Sequence, residues 1–244
     1  MESWGVTDSG KVRKHNQDVF KMLLDEDNGT AILVVCDGMG GANAGNVASE
    51  LAANAFTDHI TEHIGDFKNL RGIARTMKDA VLAANTAVFD KRLYDAEFTG
   101  MGTTLTAAIS TVNGEVVASI GDSRLYHITS GGIIQITKDH SVVEDMVDRG
   151  EISRSEARKH PRKNLITRAI GTSIYEPPDI FFLNLSSEEF ILLCSDGLSN
   201  VVTDNEILQE VQCGNTVRES CEALVDMALT RGAPDNVTAV IFKK

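Results

Sequence analysis

The chain has 244 residues, 42% hydrophobic and 24% charged, a soluble globular composition with length for one large β-rich domain or two small ones. Its formal net charge of −12 at pH 7 argues against an electrostatic grip on nucleic acid or anionic lipid, and an anionic substrate would need local cations to reverse the field. No apolar stretch reaches the length of a membrane span, and Met1-Glu2-Ser3-Trp4 lacks a basic-then-apolar export signal.

Strands are predicted near 3–8, 18–24 and 31–36, separated by polar or glycine-containing turns. Arg13-Lys14-His15-Asn16-Gln17-Asp18 joins the first two and, taken alone, reads as a polar hairpin turn. Its functional reading is a planar fork for a phosphate at Arg13, with Asp18 facing metal ions. Apolar residues then recur at helical spacing, first from Ala48 to Ile60 and again from Leu70 to Val88.

The middle is β-rich. Runs at 103–111, 115–120, 124–129 and 132–137 are joined by the hairpin signals Asn113-Gly114, Gly121-Asp122 and Gly131-Gly132. Residues 141–178 are polar, with seven Arg or Lys and three prolines, and read as an excursion over the surface. Strands return at 179–185, 189–194 and 237–243, with a helix between the last two that presents Cys221, Leu224, Val225, Ala228 and Leu229 on one face. Hairpin-paired strands, with two helices inserted early and one or two late, suggest an α+β protein in which antiparallel sheets pack face to face with helices outside. With no repeat or linker in sight, a single domain over 1–244 is expected. The four cysteines form no CxxC pair, and Cys36, Cys194 and Cys221 fall on apolar faces, so reduced thiols in a cytoplasmic protein are expected.

Asp37 and Asp196 each close an apolar run and are each followed by a glycine. A buried strand holds a carboxylate rigidly at its end, and the glycine admits backbone or ligand. Asp235, before the final strand, stands similarly, whereas Gly121-Asp122 alone is only a turn. Carboxylates from remote strand ends suggest oxygen ligands around a hard cation. Competing motifs fail. Asp37-Gly38-Met39-Gly40-Gly41 is no dinucleotide loop, because Asn43 occupies the position of the third glycine and a carboxylate there repels phosphate. Ser195 is no nucleophile elbow, because position 193 is Leu. His59 and His63 share a zinc-pair spacing without the HExxH glutamate, so an oxygen set favouring Mg²⁺ or Mn²⁺ is the better reading.

The ordered set Arg13…Asn16-Gln17-Asp18, Asp37-Gly38-Met39-Gly40-Gly41, Gly102-Thr103-Thr104, Gly121-Asp122-Ser123-Arg124, Ser195-Asp196-Gly197 and Asp235-Asn236 resembles the metal-dependent protein phosphatases of the protein phosphatase 2C type. The chain looks like the short bacterial members that oppose Ser/Thr kinases. The resemblance implies a four-layer α-β-β-α sandwich and a binuclear Mn²⁺ or Mg²⁺ centre. On that mapping Asp37 bridges the two ions, the Gly38 carbonyl binds one, and Asp196 with Asp235 hold the other. Asp18 would orient bound waters, Arg13 would hold the phosphate, and Asp122 with Asp196 would form a third metal site. The excursion at 141–178 matches the family's flap, with Arg149, Arg154, Arg158 and Arg162 as candidates for substrate selectivity. Two ions sharing a carboxylate convert water to hydroxide near neutral pH, which attacks phosphorus in line without a covalent intermediate.

The sequence departs from the family's pattern where eukaryotic relatives carry a proton-donating histidine, because Met39 stands there. The histidine many bacterial members carry after the glycines is Ala42 here, and Gln17 replaces an acidic residue found in some relatives. The proton donor is then a metal-bound water or a histidine folded in from elsewhere. The expected partners are phosphorylated proteins, including a Ser/Thr kinase, and a monomer is expected. A catalytically silent phosphoprotein-docking relative and a protein stabilised by a structural cation are the competing functions. The first would be marked by loss of a metal aspartate, and none is missing; the second leaves Arg13 and the flap without a role.

Overall fold

The computed structural model describes residues 1–41 and 44–244; Ala42 and Asn43, weighed above as a missing histidine and a missing glycine, lie outside the described residues. The chain begins with strands β1 (Glu2–Asp8), β2 (Asp18–Asp25) and β3 (Thr30–Met39), followed by helices α1 (Ala44–Glu62) and α2 (Leu70–Tyr94). Then come β4 (Gly102–Thr103), β5 (Leu105–Thr111), β6 (Gly114–Ile120), β7 (Arg124–Thr129) and β8 (Gly132–Gln135). The flap holds the short helices α3 (Val142–Asp148) and α4 (Arg154–Ala157), and β9 (Asp179–Leu183) and β10 (Phe190–Cys194) follow it. Helices α5 (Asp196–Ser199), α6 (Asp204–Cys213) and α7 (Val217–Thr230) precede the last strand, β11 (Val237–Lys243).

Side chains of a strand alternate between faces, and β3 is apolar on both. Ile32, Val34 and Cys36 pack toward α1 and α2, while Ala31, Leu33 and Val35 meet Leu125, Ile191, Leu193 and Phe242 of the opposite sheet. A strand with no wet face needs a layer on each side, and the fold supplies them. One sheet runs β2-β3-β5-β6-β9 with β4 on β3; the other runs β1-β11-β10-β7-β8, and every pairing is antiparallel. Helices α1 and α2 cover the first sheet, and α5 to α7 cover the second through Leu198, Ile207, Cys221 and Leu224. The result is the α-β-β-α sandwich expected. Helix α2 begins where Asn69 accepts from the Gly72 N–H and ends with Lys91 and Arg92 against its negative pole.

The differences from the predicted elements lie where the site is. Asn113-Gly114 and Gly131-Gly132 close hairpins as expected. Gly121-Asp122 does not: β6 belongs to one sheet and β7 to the other, so the turn carries the chain across the sandwich. Residues 9–17 likewise pass between sheets rather than forming a hairpin. The predicted strand 103–111 breaks at Thr104, whose N–H donates to the Asp37 carbonyl. The one or two late helices expected become three, and the surface excursion contains two.

Candidate active site

Strand β3 presents Asp37 at the rim of the sandwich, and Thr103 and Thr104 hold its backbone. The Asp37 N–H donates to Thr104 Oγ1 (2.9 Å), and its carbonyl accepts from Thr103 Oγ1 (2.9 Å), which leaves the side chain free. Asp18 faces Asp37 in the β2–β3 register. It is 5% exposed, and its Oδ2 accepts from Ser195 Oγ and Thr238 Oγ1, each at 2.7 Å. Its Oδ1 is buried and unpartnered among the described residues.

Asp196 opens α5 just beyond the end of β10, and its Oδ2 accepts from Asn200 Nδ2 (3.0 Å). Gly197 is required there, because a Cβ on it would lie 1.9 Å from the Asn236 carbonyl oxygen. Asp235 precedes β11 and accepts from Arg13 Nη2 (2.8 Å). Asn236 fixes the Arg13 loop from below: its Nδ2 donates to the carbonyls of Ser9 and His15, and its Oδ1 accepts from the Gln17 N–H. Asp122 sits in the crossover turn, where Gly121 takes φ +102° and donates its N–H to His140 Nδ1.

These elements meet. Arg13, Asp37, Gly38, Asp122, Asp196 and Asp235 line one cavity of about 200 Å³ together with the flap's Asn164 and Ile166. Asp18 lies beneath that wall rather than on it. Met39 lines the cavity and no histidine among the described residues does; the imidazole of His140 accepts from the Gly121 N–H in the crossover turn. The flap closes on the same framework, since Thr103 and Ile170 exchange backbone hydrogen bonds. Of the flap arginines, Arg154 and Arg158 are matched by Glu144 and Asp204. His59 and His63 stack on each other, their ring centroids 4.4 Å apart.

The field in the cavity is strongly negative. Burial pushes Asp18 up to about 7 against hydrogen bonds from Ser195 and Thr238, with Asp196 and Asp235 adding repulsion. Burial and the neighbouring carboxylates hold Asp37 and Asp122 well above the ordinary carboxylate range. Asp196 is raised to about 6 by burial and Asp235, opposed by Lys163, Arg124 and Arg13. Like charges stand apart in this geometry, and no three of His, Cys, Asp or Glu among the described residues close round one point. The donor set still suits a hard divalent cation: it is all oxygen, it repels itself, and it includes a buried carboxylate oxygen with no partner.

The hydroxyl of Thr104 holds Asp37, those of Ser195 and Thr238 hold Asp18, and the side-chain amide of Asn236 holds the Arg13 loop. Thr104, Ser195 and Asn236 stand in the ordered motifs without their tasks being legible there, and nothing in the sequence points to Thr238.

The profile of one family, described as Protein phosphatase 2C, matches residues 11–236. The chain belongs to the protein phosphatase 2C family. As a member it is a phosphoprotein phosphatase. It is 34% identical over 238 residues, 98% of this chain and 94% of the relative, to the serine/threonine phosphatase stp of Listeria monocytogenes. Its structure matches that of the serine/threonine phosphatase Stp1 from Staphylococcus aureus with a TM-score of 0.92 and 34% identity, covering 100% of this chain and 94% of that one. The catalytic domain of the serine threonine protein phosphatase PstP in complex with two manganese ions gives a TM-score of 0.82 and 36% identity, covering 98% of this chain and 96% of that one. No helix among the described residues is long and apolar enough to cross a membrane.

Proposed function

We propose that the chain hydrolyses phosphoserine and phosphothreonine on proteins by direct, in-line attack of water. The carrying observation is that Arg13 and four carboxylates from separate stretches of chain face one cavity beneath the flap. Mn²⁺ or Mg²⁺ fits this set: Asp37 and the Gly38 carbonyl would hold one ion, Asp37, Asp196 and Asp235 a second, and Asp122 with Asp196 a third. When bound, such ions lower the pKa of water and offset the phosphate's charge.

The protein's own contributions follow from its contacts. The guanidinium of Arg13 offers a fork to two phosphoryl oxygens once it leaves Asp235, and it holds the phosphate for in-line attack. Thr103 and Thr104 fix the Asp37 backbone so that its carboxylate keeps one position. Ser195 and Thr238 clamp one oxygen of Asp18 and leave the other to orient water at the cavity floor. Asn164 and Ile166 bring the flap onto the cavity wall, where they limit the solvent around the phosphate. With no histidine on the wall, the leaving alkoxide takes its proton from water rather than from an imidazole.

The substrates would be phosphorylated proteins, among them a Ser/Thr kinase, met by a single-domain monomer. Four unpaired thiols fit the reducing cytoplasm. The test is phosphate release from a phosphothreonine peptide by purified protein, with Mn²⁺ and then with excess chelator. Release that stops with chelator and is absent in Asp37→Asn is expected. Release that persists in chelator, or near-normal turnover by folded Asp37→Asn, removes the metal-dependent reading.

A further inference from the structure

The candidate site opens into a second, larger cavity of about 570 Å³ that shares Asp122 and Asp196 with it. The flap spans both: Asn164 lines the small cavity and its neighbour Lys163 the large one. A phosphorylated side chain seated at Arg13 and Asp37 therefore leaves the rest of its peptide a polar cleft to occupy.

Most of the charge in that cleft is already matched. Arg124 pairs with Asp139 at 2.7 Å, Arg154 with Glu144 at 2.8 Å and Arg158 with Asp204 at 3.0 Å, while Lys138 pairs with Asp148. Asp122 and Asp196 belong to the proposed cation ligands. Among the described residues, Lys163 is the one cation of the cleft without a carboxylate partner; its ammonium donates only to the amide oxygen of Asn200 (3.2 Å). A neutral amide does not cancel the charge, and an ammonium has donors to spare.

We propose that the large cavity seats the substrate segment flanking the phosphorylated residue, and that Lys163 binds an anionic side chain there, a carboxylate or a second phosphate. The inference rests on the phosphatase reading above and gives it a substrate class: phosphoproteins with a further negative charge beside the phosphorylated residue. An acidic enzyme thereby selects an acidic substrate through one uncompensated cation, where its overall field of −12 would repel it.

Lys163 also reaches Asp196 indirectly, because Asn200 Nδ2 donates to Asp196 Oδ2. The test separates the two roles. Wild type, Lys163→Gln and Lys163→Glu are assayed in Mn²⁺ on p-nitrophenyl phosphate and on three phosphothreonine peptides. The peptides differ only in a flanking residue: alanine, glutamate or a non-hydrolysable phosphonate. For Lys163→Gln, KM on one or both anionic peptides rises about threefold to fivefold, the scale of a half-exposed ion pair. The alanine peptide and the aryl phosphate stay within twofold, and Lys163→Glu reverses the preference. The arm that responds identifies carboxylate or phosphate as the anion. An equal loss on all four substrates assigns Lys163 to Asn200 and Asp196 and overturns the proposal, as does no change on any. Wild type inert toward every substrate overturns the phosphatase reading and this inference with it.

Discussion

Replacing Asp18 by Asn separates the stability of the metal-free protein from its activity. Burial, with repulsion from Asp196 and Asp235, raises this carboxyl from 3.8 to about 7 despite its two hydroxyl partners. A raised carboxyl stabilises the fold while protonated; that advantage is complete below the unfolded value near ~4 and is lost as pH rises through about 7. At pH 8 the folded chain thus holds a buried charge whose ceiling cost is on the order of 4 kcal/mol, roughly three units at about 1.4 kcal/mol each. An amide keeps the acceptor for Ser195 and Thr238, but its N–H group takes the unpartnered place of Oδ1, which returns about 1–3 kcal/mol. The net for Asp18→Asn in chelator at pH 8 is a gain of about 2 kcal/mol, roughly 4–8 °C in Tm for a chain of this size. At pH 5.5 the folded carboxyl is protonated but the unfolded one is ionised, so about 2 kcal/mol of that cost remains, the amide's own cost cancels it, and the gain vanishes. Melting curves in chelator at both pH values read the effect, and initial rates in Mn²⁺ should fall at least tenfold. A variant less stable at pH 8, or a gain of equal size at both pH values, refutes the reasoning.

Two further substitutions probe the ligand framework. Gly197→Ala forces a Cβ to within 1.9 Å of the Asn236 carbonyl oxygen, so it should cost about 1–3 kcal/mol in urea denaturation and raise the Mn²⁺ concentration for half-maximal activity. An unchanged Mn²⁺ response would show that Asp196 and Asp235 do not depend on this contact. Arg13→Ala releases Asp235 from its 2.8 Å ion pair and removes the phosphate fork. Half-saturation by Mn²⁺ should therefore fall while kcat/KM on a phosphopeptide drops about tenfold or more, the scale of one lost charge-assisted hydrogen bond. Both quantities improving, or both worsening, contradicts the assignment of Arg13 to phosphate.

The strands, the helices and the four-layer packing were legible because hydrophobic period is a local property. The run 31–36 is apolar at every position, and such a strand needs cover on both faces. The direction of the turns was not legible. Gly121-Asp122 has the chemistry of a hairpin whether the next strand returns to its own sheet or crosses to the other, and that choice is made by distant partners: β7 pairs with β10, more than sixty residues on. The site has the same dependence. The Asp18 carboxylate is held by hydroxyls 177 and 220 positions away, and Arg13 meets Asp235 across 222. No window of sequence contains such pairs, so the aspartates could be grouped only through the order of motifs that a family shares, while the Thr238 hydroxyl that supports Asp18 stayed anonymous. Charge misled for a related reason. The sequence offers four flap arginines for selectivity, yet Arg154 and Arg158 are matched by Glu144 and by Asp204 of α6. The cation left to act on a ligand is then decided by subtraction in three dimensions, which is how Lys163, unremarkable in sequence, becomes the side chain that a flanking anion would meet.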